Sequence, residues 1–149
     1  MDLENKILFL GGSWNCLSNF SSYSVEWKGE TWMTSEHAYQ AEKFDDVDIK
    51  QKIKKALSAY DSKMIAIEYK EKMKPRWNED LRLGIMEEII RAKLAQHPHI
   101  KKKLLQTGDK EIIENSKDDY FWGWGADQTG FNHHGKIWMK LRSELLKKD

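Results

Sequence analysis

The chain contains two prolines, Pro75 and Pro98, and they bracket its most regular segment. From about Asn78 to Gln96, Leu81, Ile85, Ile89 and Leu94 fall on one broad helical face, with Gly84 as a weak point. Proline inside a helix removes a backbone donor and clashes with the preceding turn, so Pro75 ends whatever helix comes before it. At the first helical position the missing donor costs nothing, and there Pro98 opens a helix that stops at Thr107-Gly108. Punctuation alone therefore sets out three helices.

The remaining elements follow from shorter signals. Ile49, Ile53, Ala56 and Leu57 indicate a helix over roughly 47–58, and Ile65, Ile67, Tyr69 and Met73 a less regular one over 62–74. Ile7 to Leu10 reads as a short strand running into Gly11-Gly12. Tyr23–Trp27 and Thr31–Met33 form a hairpin about Lys28-Gly29-Glu30. Thr34 can cap a helix from Ser35 to about Phe44, with Glu36 in the first turn, where the helix dipole favours an anion. A short strand over 110–114, a Gly- and Trp-rich loop from Asp119 to Gly135 and a last helix from Lys136 to Lys147 complete the chain. The expected fold is α+β, a mostly helical single domain over 1–149 with a few short strands.

Composition narrows the function classes. Charged residues make up 33 % of the 149, yet 7 Trp, 5 Tyr and 5 Phe are more aromatics than disordered chains carry. Lys+Arg 25 against Asp+Glu 24 leaves a net charge of +1, so no global field points to extended nucleic acid or to a membrane. The lysine runs at 50–55 and 101–103 read as solvated helix faces. Cys16 is alone, which excludes an internal disulfide, a cysteine zinc cluster and a redox pair. His133-His134 and His97-Pro98-His99 lack the helical spacing of a zinc pair, so no metal is expected. There is no Walker loop, nucleophile elbow or dinucleotide fingerprint, and no cofactor is expected. The start of the chain is acidic before a four-residue apolar stretch, Ile7–Leu10, too short for a signal-peptide core. With no run near the roughly 20 apolar residues of a membrane span, the expected location is cytoplasmic.

Three segments carry candidate chemistry. In Thr34–Phe44, Glu36, Gln40 and Lys43 lie on one face at helical spacing, with Tyr39 beside them. A carboxylate, an amide and an amine so placed can move protons and attack or hold a ligand, or simply form a solvated polar face. In Asp119-Tyr120-Phe121-Trp122-Gly123-Trp124-Gly125 and Gly130–Gly135, glycines beside indoles can admit a flat ligand or a phosphate; the alternative is a loop whose tryptophans pack on the core. In Gly11–Asn15 and Leu17–Phe20, the asparagines can read a base or a ribose, or close Asx turns.

Together these segments resemble the NADAR (NAD- and ADP-ribose-associated), or YbiA-like, family from about Ile7 to Leu146. The landmarks, in the family's order, are Leu17-Ser18-Asn19-Phe20, the Thr34–Phe44 run, Trp77 after Pro75-Arg76, Arg91-Ala92-Lys93-Leu94, Leu104–Gly108, Asp119-x-x-Trp122-Gly123, Asn132-x-x-Gly135 and Met139-x-x-Arg142. Ala38 stands where an aromatic is common, Arg76 and Asn78 flank Trp77 where an acidic residue often precedes it, and His134 replaces the usual leucine.

The resemblance implies an enzyme that cleaves N-glycosidic bonds to a phosphorylated ribose. The substrate would be a small nucleotide of the phosphoribosylamino-pyrimidine type, from riboflavin biosynthesis, or ADP-ribose on guanine in a nucleotide or nucleic acid. No cofactor, membrane or obligatory protein partner is implied. Carried onto this chain, Lys43 would attack the anomeric carbon to give an imine, with Glu36 as proton shuttle and Asp119 as second acid/base candidate. Trp77 and Trp122 would stack on the base. Asn19 and Asn132 would bond base or ribose, Gly123 would admit phosphate oxygens, and Phe20, His37 and Gln40 would add substrate contacts. A module that binds ADP-ribose without catalysis is the alternative.

Overall fold

The computed structural model describes residues 3–147. Its contacts fall into two compact units: a continuous one of residues 19–96, and a composite one of the residues up to Ser18 together with those from His97 onward.

The continuous unit opens with the expected hairpin. Strands β1 of the composite unit (Lys6–Phe9) and β2 (Val25–Trp27) precede β3 (Glu30–Trp32), and β2 and β3 pair antiparallel with Val25 opposite Trp32. Lys28 and Gly29 both have positive φ, 51° and 81°, which gives the turn a twist that matches its strands. Helix α1 (Ser35–Glu42) begins where the sequence places it, because Thr34 Oγ1 accepts from the His37 N–H. It sits among α2 (Val47–Lys54), α3 (Ala59–Glu68), α4 (Glu79–Gln96) and the hairpin, and all eight of its residues are buried.

Boundaries in this unit shift for local reasons. α2 stops at Lys54 rather than 58, its end tightened by the Ala56 N–H to Ile53 carbonyl bond. α3 starts at Ala59 rather than 62 because Ser58 Oγ accepts from the Asp61 N–H. It ends at Glu68, well before Pro75, where Tyr69 leaves helical geometry at φ −101°, ψ 22°, and a short 3-10 turn covers Lys70–Lys72. The buried face of α4 is Met86, Ile89, Ile90, Lys93 and Leu94, so Leu81 and Ile85 of the expected face are only half-buried. Lys93 is fully buried, its Nζ 3.3 Å from Ser21 Oγ and 5.7 Å from the Tyr23 ring centroid.

In the composite unit β1 pairs in parallel with β4 (Glu111–Glu114), Lys6 opposite Glu111 and Phe9 opposite Glu114. Each strand is legible from its apolar residues but their pairing is not, since the partners are about a hundred residues apart and parallel strands need a long crossover. α5 (Pro98–Gln106) packs against α6 (His133–Lys147) and a 3-10 segment, Gly12–Leu17; α6 covers β4. Trp138, fully buried on α6, donates Nε1–H to the Leu17 carbonyl at 3.0 Å. α6 starts three residues earlier than expected because Asn132, at φ 53°, turns the chain and its carbonyl accepts from the Lys136 N–H. Gly135 therefore lies inside the helix, where a Cβ would run into the Ile112 carbonyl of β4. Among the described residues no helix is long and apolar enough to cross a membrane.

Candidate active site

Two of the polar trio, Glu36 at 6 % exposed and Gln40 at 3 %, are interior and Lys43 is half-buried, so the solvated-face alternative does not hold. Gln40 Nε2 donates to Glu36 Oε2 at 3.1 Å, one helical turn away. A carboxylate only accepts, so the pairing turns the amide NH2 toward Glu36 and its oxygen away. Gln40 Oε1 is buried and has no hydrogen-bond partner within the described protein.

Asn19 fixes the start of this helix. Its carbonyl accepts from the Glu36 N–H at 3.2 Å, its Oδ1 accepts from Ser35 Oγ at 2.8 Å, and its Nδ2 lies 3.3 Å from Met86 Sδ. Phe20, the next residue, is 45 % exposed. His37 is held on both ring nitrogens, Nδ1 2.7 Å from Thr34 Oγ1 and Nε2 3.0 Å from the Ala56 carbonyl. A carbonyl can only accept, so Nε2 carries the proton and the Thr34 hydroxyl donates to Nδ1. Burial holds the His37 pKa below its ordinary value, against the pull of the Ala56 bond and Asp61. Both nitrogens thus serve to position α1.

Lys43 caps the other end of α1. Its Nζ lies 5.1 Å from the Tyr39 ring centroid, and that ring is 5.8 Å from Trp77 at an interplanar angle of 57°. The Lys43 carbonyl accepts from the Lys74 N–H at 2.8 Å, which ties the approach to Trp77 to the end of the helix. Burial pushes the Lys43 pKa below the usual lysine range; Glu36 opposes the shift, and the charges of Arg82 and Lys63 add to it. Those two cations come from α4 and α3, and no local spacing in the sequence connects them to Lys43. On another side of α1, Glu42 accepts from Trp27 Nε1 at 2.7 Å and Lys28 Nζ at 3.3 Å. Burial raises the Glu42 pKa, and these bonds outweigh it so that the net shift is downward.

The other sequence-derived candidates lie in the composite unit, within the loop between β4 and α6. Asp119 Oδ1 accepts from the N–H groups of Phe121 and Trp122, at 2.9 and 2.7 Å, and closes a turn. Trp122 is half-buried, its ring edge-on to Phe121 at 4.7 Å. Asn132 bridges loop and strand: Oδ1 accepts from the Glu114 N–H and Nδ2 donates to the Ile112 carbonyl, both at 2.9 Å. A Cβ on Gly123 would come within 2.9 Å of the Glu114 carbonyl, and one on Gly125 would meet the Tyr120 ring. Close approach at these glycines is thus used by the loop itself. His134, the departure from leucine, is fully buried with Nδ1 2.9 Å from Glu114 Oε1.

Two clusters result. Glu36, Gln40 and Lys43, with Tyr39 and Trp77, form one in the continuous unit; Asp119, Trp122, Gly123 and Asn132 form the other in the composite unit's loop. The first holds an amine, a carboxylate and an aromatic pair together, the parts needed to attack an electrophilic carbon, move a proton and pack against a planar group.

Comparison with known proteins agrees in extent. The NADAR domain matches residues 8–146. The chain is 35 % identical over 135 residues to an N-glycosidase of Nostoc punctiforme, covering 89 % of this chain and 86 % of that one. It is 31 % identical over 128 residues to the N-glycosidase YbiA of Escherichia coli, covering 86 % and 79 %. A riboflavin biosynthesis protein of Vibrio vulnificus is 40 % identical over 129 residues, 87 % of this chain, but the chain spans only 35 % of that protein's length. The NMR structure of E. coli YbiA superposes with a TM-score of 0.86 at 29 % identity, over 97 % of this chain and 86 % of that one. The chain belongs to the NADAR family.

Proposed function

We propose that this chain is an N-glycosidase that hydrolyses the bond between a nitrogenous group and C1 of a phosphorylated ribose. The observation that carries the proposal is the Lys43 amine, its pKa lowered by burial, on the same helix face as a buried Glu36–Gln40 pair. Relatives that align over most of their length are N-glycosidases, which supports this reading.

The proposed route opens the ribose ring: the lone pair of the substrate nitrogen expels the ring oxygen, which takes a proton from the Glu36 carboxyl, and C1 becomes a protonated imine of that nitrogen. Neutral Lys43 Nζ adds to C1 and gives a proton to the Glu36 carboxylate, which passes it to the substrate nitrogen as the C1–N bond to the leaving amine breaks. The product of this step is an imine between C1 and Lys43. Water then adds to C1, the C1–Nζ bond breaks, and the free sugar aldehyde leaves with Lys43 again an amine. The lowered pKa serves the first step, because only the neutral amine attacks. Trp77 beside Tyr39 offers a stacking surface for the base, and Phe20, Asn19 and His37 shape or brace this side. Phosphoribosylamino-pyrimidines and ADP-ribosylated guanine both present the required nitrogen on C1 of a phosphorylated ribose. Of these, the riboflavin-type substrate draws support from the name of the Vibrio relative.

Borohydride trapping tests the route. After incubation with ribose 5-phosphate or ADP-ribose, reduction is expected to leave a covalent sugar on Lys43, located by peptide mass spectrometry. Lys43→Ala is expected to lower turnover about 10²–10⁴-fold in a folded protein, the range for loss of a positioned catalytic group. A folded Lys43→Ala enzyme with near wild-type turnover would rule out the imine and leave Glu36 or Asp119 to act through an oxocarbenium-like state.

A further inference from the structure

The site contains one polar atom that the proposed chemistry leaves unused. Gln40 is 97 % buried, taking its 3 % exposure as the remainder, and Oε1 has no partner within the described protein. Unsatisfied buried acceptors are uncommon in folded proteins, and each destabilises the fold unless a ligand or water supplies a donor. The 3.1 Å bond from Nε2 to Glu36 prevents relief by an amide flip, which would set oxygen against carboxylate. The atom requires a donor, and this selects among the groups of a sugar phosphate. A phosphate dianion has no proton to give, and the ring oxygen has none either. Hydroxyl groups do.

We propose that Gln40 Oε1 accepts a hydrogen bond from the C2 hydroxyl of the bound ribose, and that the site thereby distinguishes ribose from 2-deoxyribose. The inference rests on the ribose-phosphate reading of this site. Gln40 precedes Lys43, the helical-geometry cap of α1, by three residues, so the two side chains are neighbours on one face. If Lys43 engages C1, the hydroxyl on the adjoining carbon is the sugar donor nearest the reacting centre. Electron demand at C1 also acidifies that hydroxyl, so an acceptor placed against it binds more tightly as the C1–N bond breaks. A site built around a buried acceptor rejects a ligand that lacks the matching donor, because the acceptor is then left dry.

Isothermal titration calorimetry with ribose 5-phosphate and 2-deoxyribose 5-phosphate reads this directly, on the unmodified protein, Lys43→Met and Gln40→Met. Lys43→Met removes covalent capture and leaves equilibrium binding. The unmodified protein and Lys43→Met are expected to prefer ribose 5-phosphate by about ten- to a hundredfold, one hydrogen bond's worth of discrimination to a buried group. Gln40→Met is expected to bind the two sugars within about twofold of each other. Equal affinity for both sugars in the unmodified protein and Lys43→Met overturns the inference and leaves the ribose-phosphate reading standing. Absence of binding by either sugar at millimolar concentration overturns both. Persistence of the preference in folded Gln40→Met assigns it elsewhere and also overturns the inference. Should Gln40→Met fail to fold, the two-sugar comparison on the other proteins remains decisive against it.

Discussion

Lys43 shows how a single side chain can be tuned by opposing neighbours. Burial lowers its pKa, Glu36 raises it, and Arg82 and Lys63 lower it further, with a net downward shift. The sign has two consequences. Between the folded pKa and the ordinary lysine value of 10.5, the unfolded chain binds more protons than the folded one, so stability rises with pH across that window. Below the folded pKa the buried ammonium is a fixed cost. For catalysis, kcat/KM is expected to climb with pH as Lys43 loses its proton and to level off below pH 10.5. Charge removal by Arg82→Gln is expected to move that limb to higher pH, because a repelling cation is gone; a pH–rate profile of the two proteins checks it. His37 is a contrasting residue. It belongs to the same motif, yet its two ring nitrogens are fully engaged by Thr34 and Ala56, and sequence spacing cannot separate a bracing histidine from a contacting one.

At the scale of elements, legibility followed the range of the interactions. The cap on α1 and the turn of the hairpin depend on residues within four of one another, and Thr34 and Lys28-Gly29 announce them. The trio Glu36, Gln40 and Lys43 was legible as a face, but its burial was not, because α2, α3 and α4 supply it. The core side of α4 likewise depends on what packs there, which is why Met86 and Ile90 displace Leu81 and Ile85. Two helical glycines make the same point in opposite directions. At Gly135 an added Cβ would meet the Ile112 carbonyl and the Asn132 amide, whereas Gly84 has nothing within 4 Å. Gly135→Ala is expected to destabilise by about 2 kcal/mol or more, since fixed backbone must move. Gly84→Ala is expected to stabilise by about 0.5–1 kcal/mol through helix propensity and a more restricted unfolded chain. Thermal unfolding of both variants should shift in opposite directions.

The whole molecule has one unit nested within the sequence of the other. Residues 19–96 build their unit from an uninterrupted stretch, with hairpin and helices close in sequence, whereas β1 joins β4 across about a hundred residues. Local contacts form before distant ones, because loop closure must precede the stabilisation that distant contacts bring. In refolding, pulse-labelled amides of α1 and α4 are therefore expected to gain protection before those of Ile7, Leu8, Ile112 and Ile113. Simultaneous protection of both sets would mean that the two units form in a single cooperative step. Neither order nor pairing could be read from the strands themselves, since four-residue strands with two or three apolar side chains carry no address for their partner.

The same nesting sets a waiting time during protein synthesis. Residues leave the ribosome at about 5–20 per second, so β1 emerges on the order of 5–20 s before β4 can reach it. Throughout that interval Ile7 and Phe9, which end up buried, have no strand to pair with. Only four residues long and with Lys6 leading it, β1 offers other nascent chains a short and charged edge while it waits.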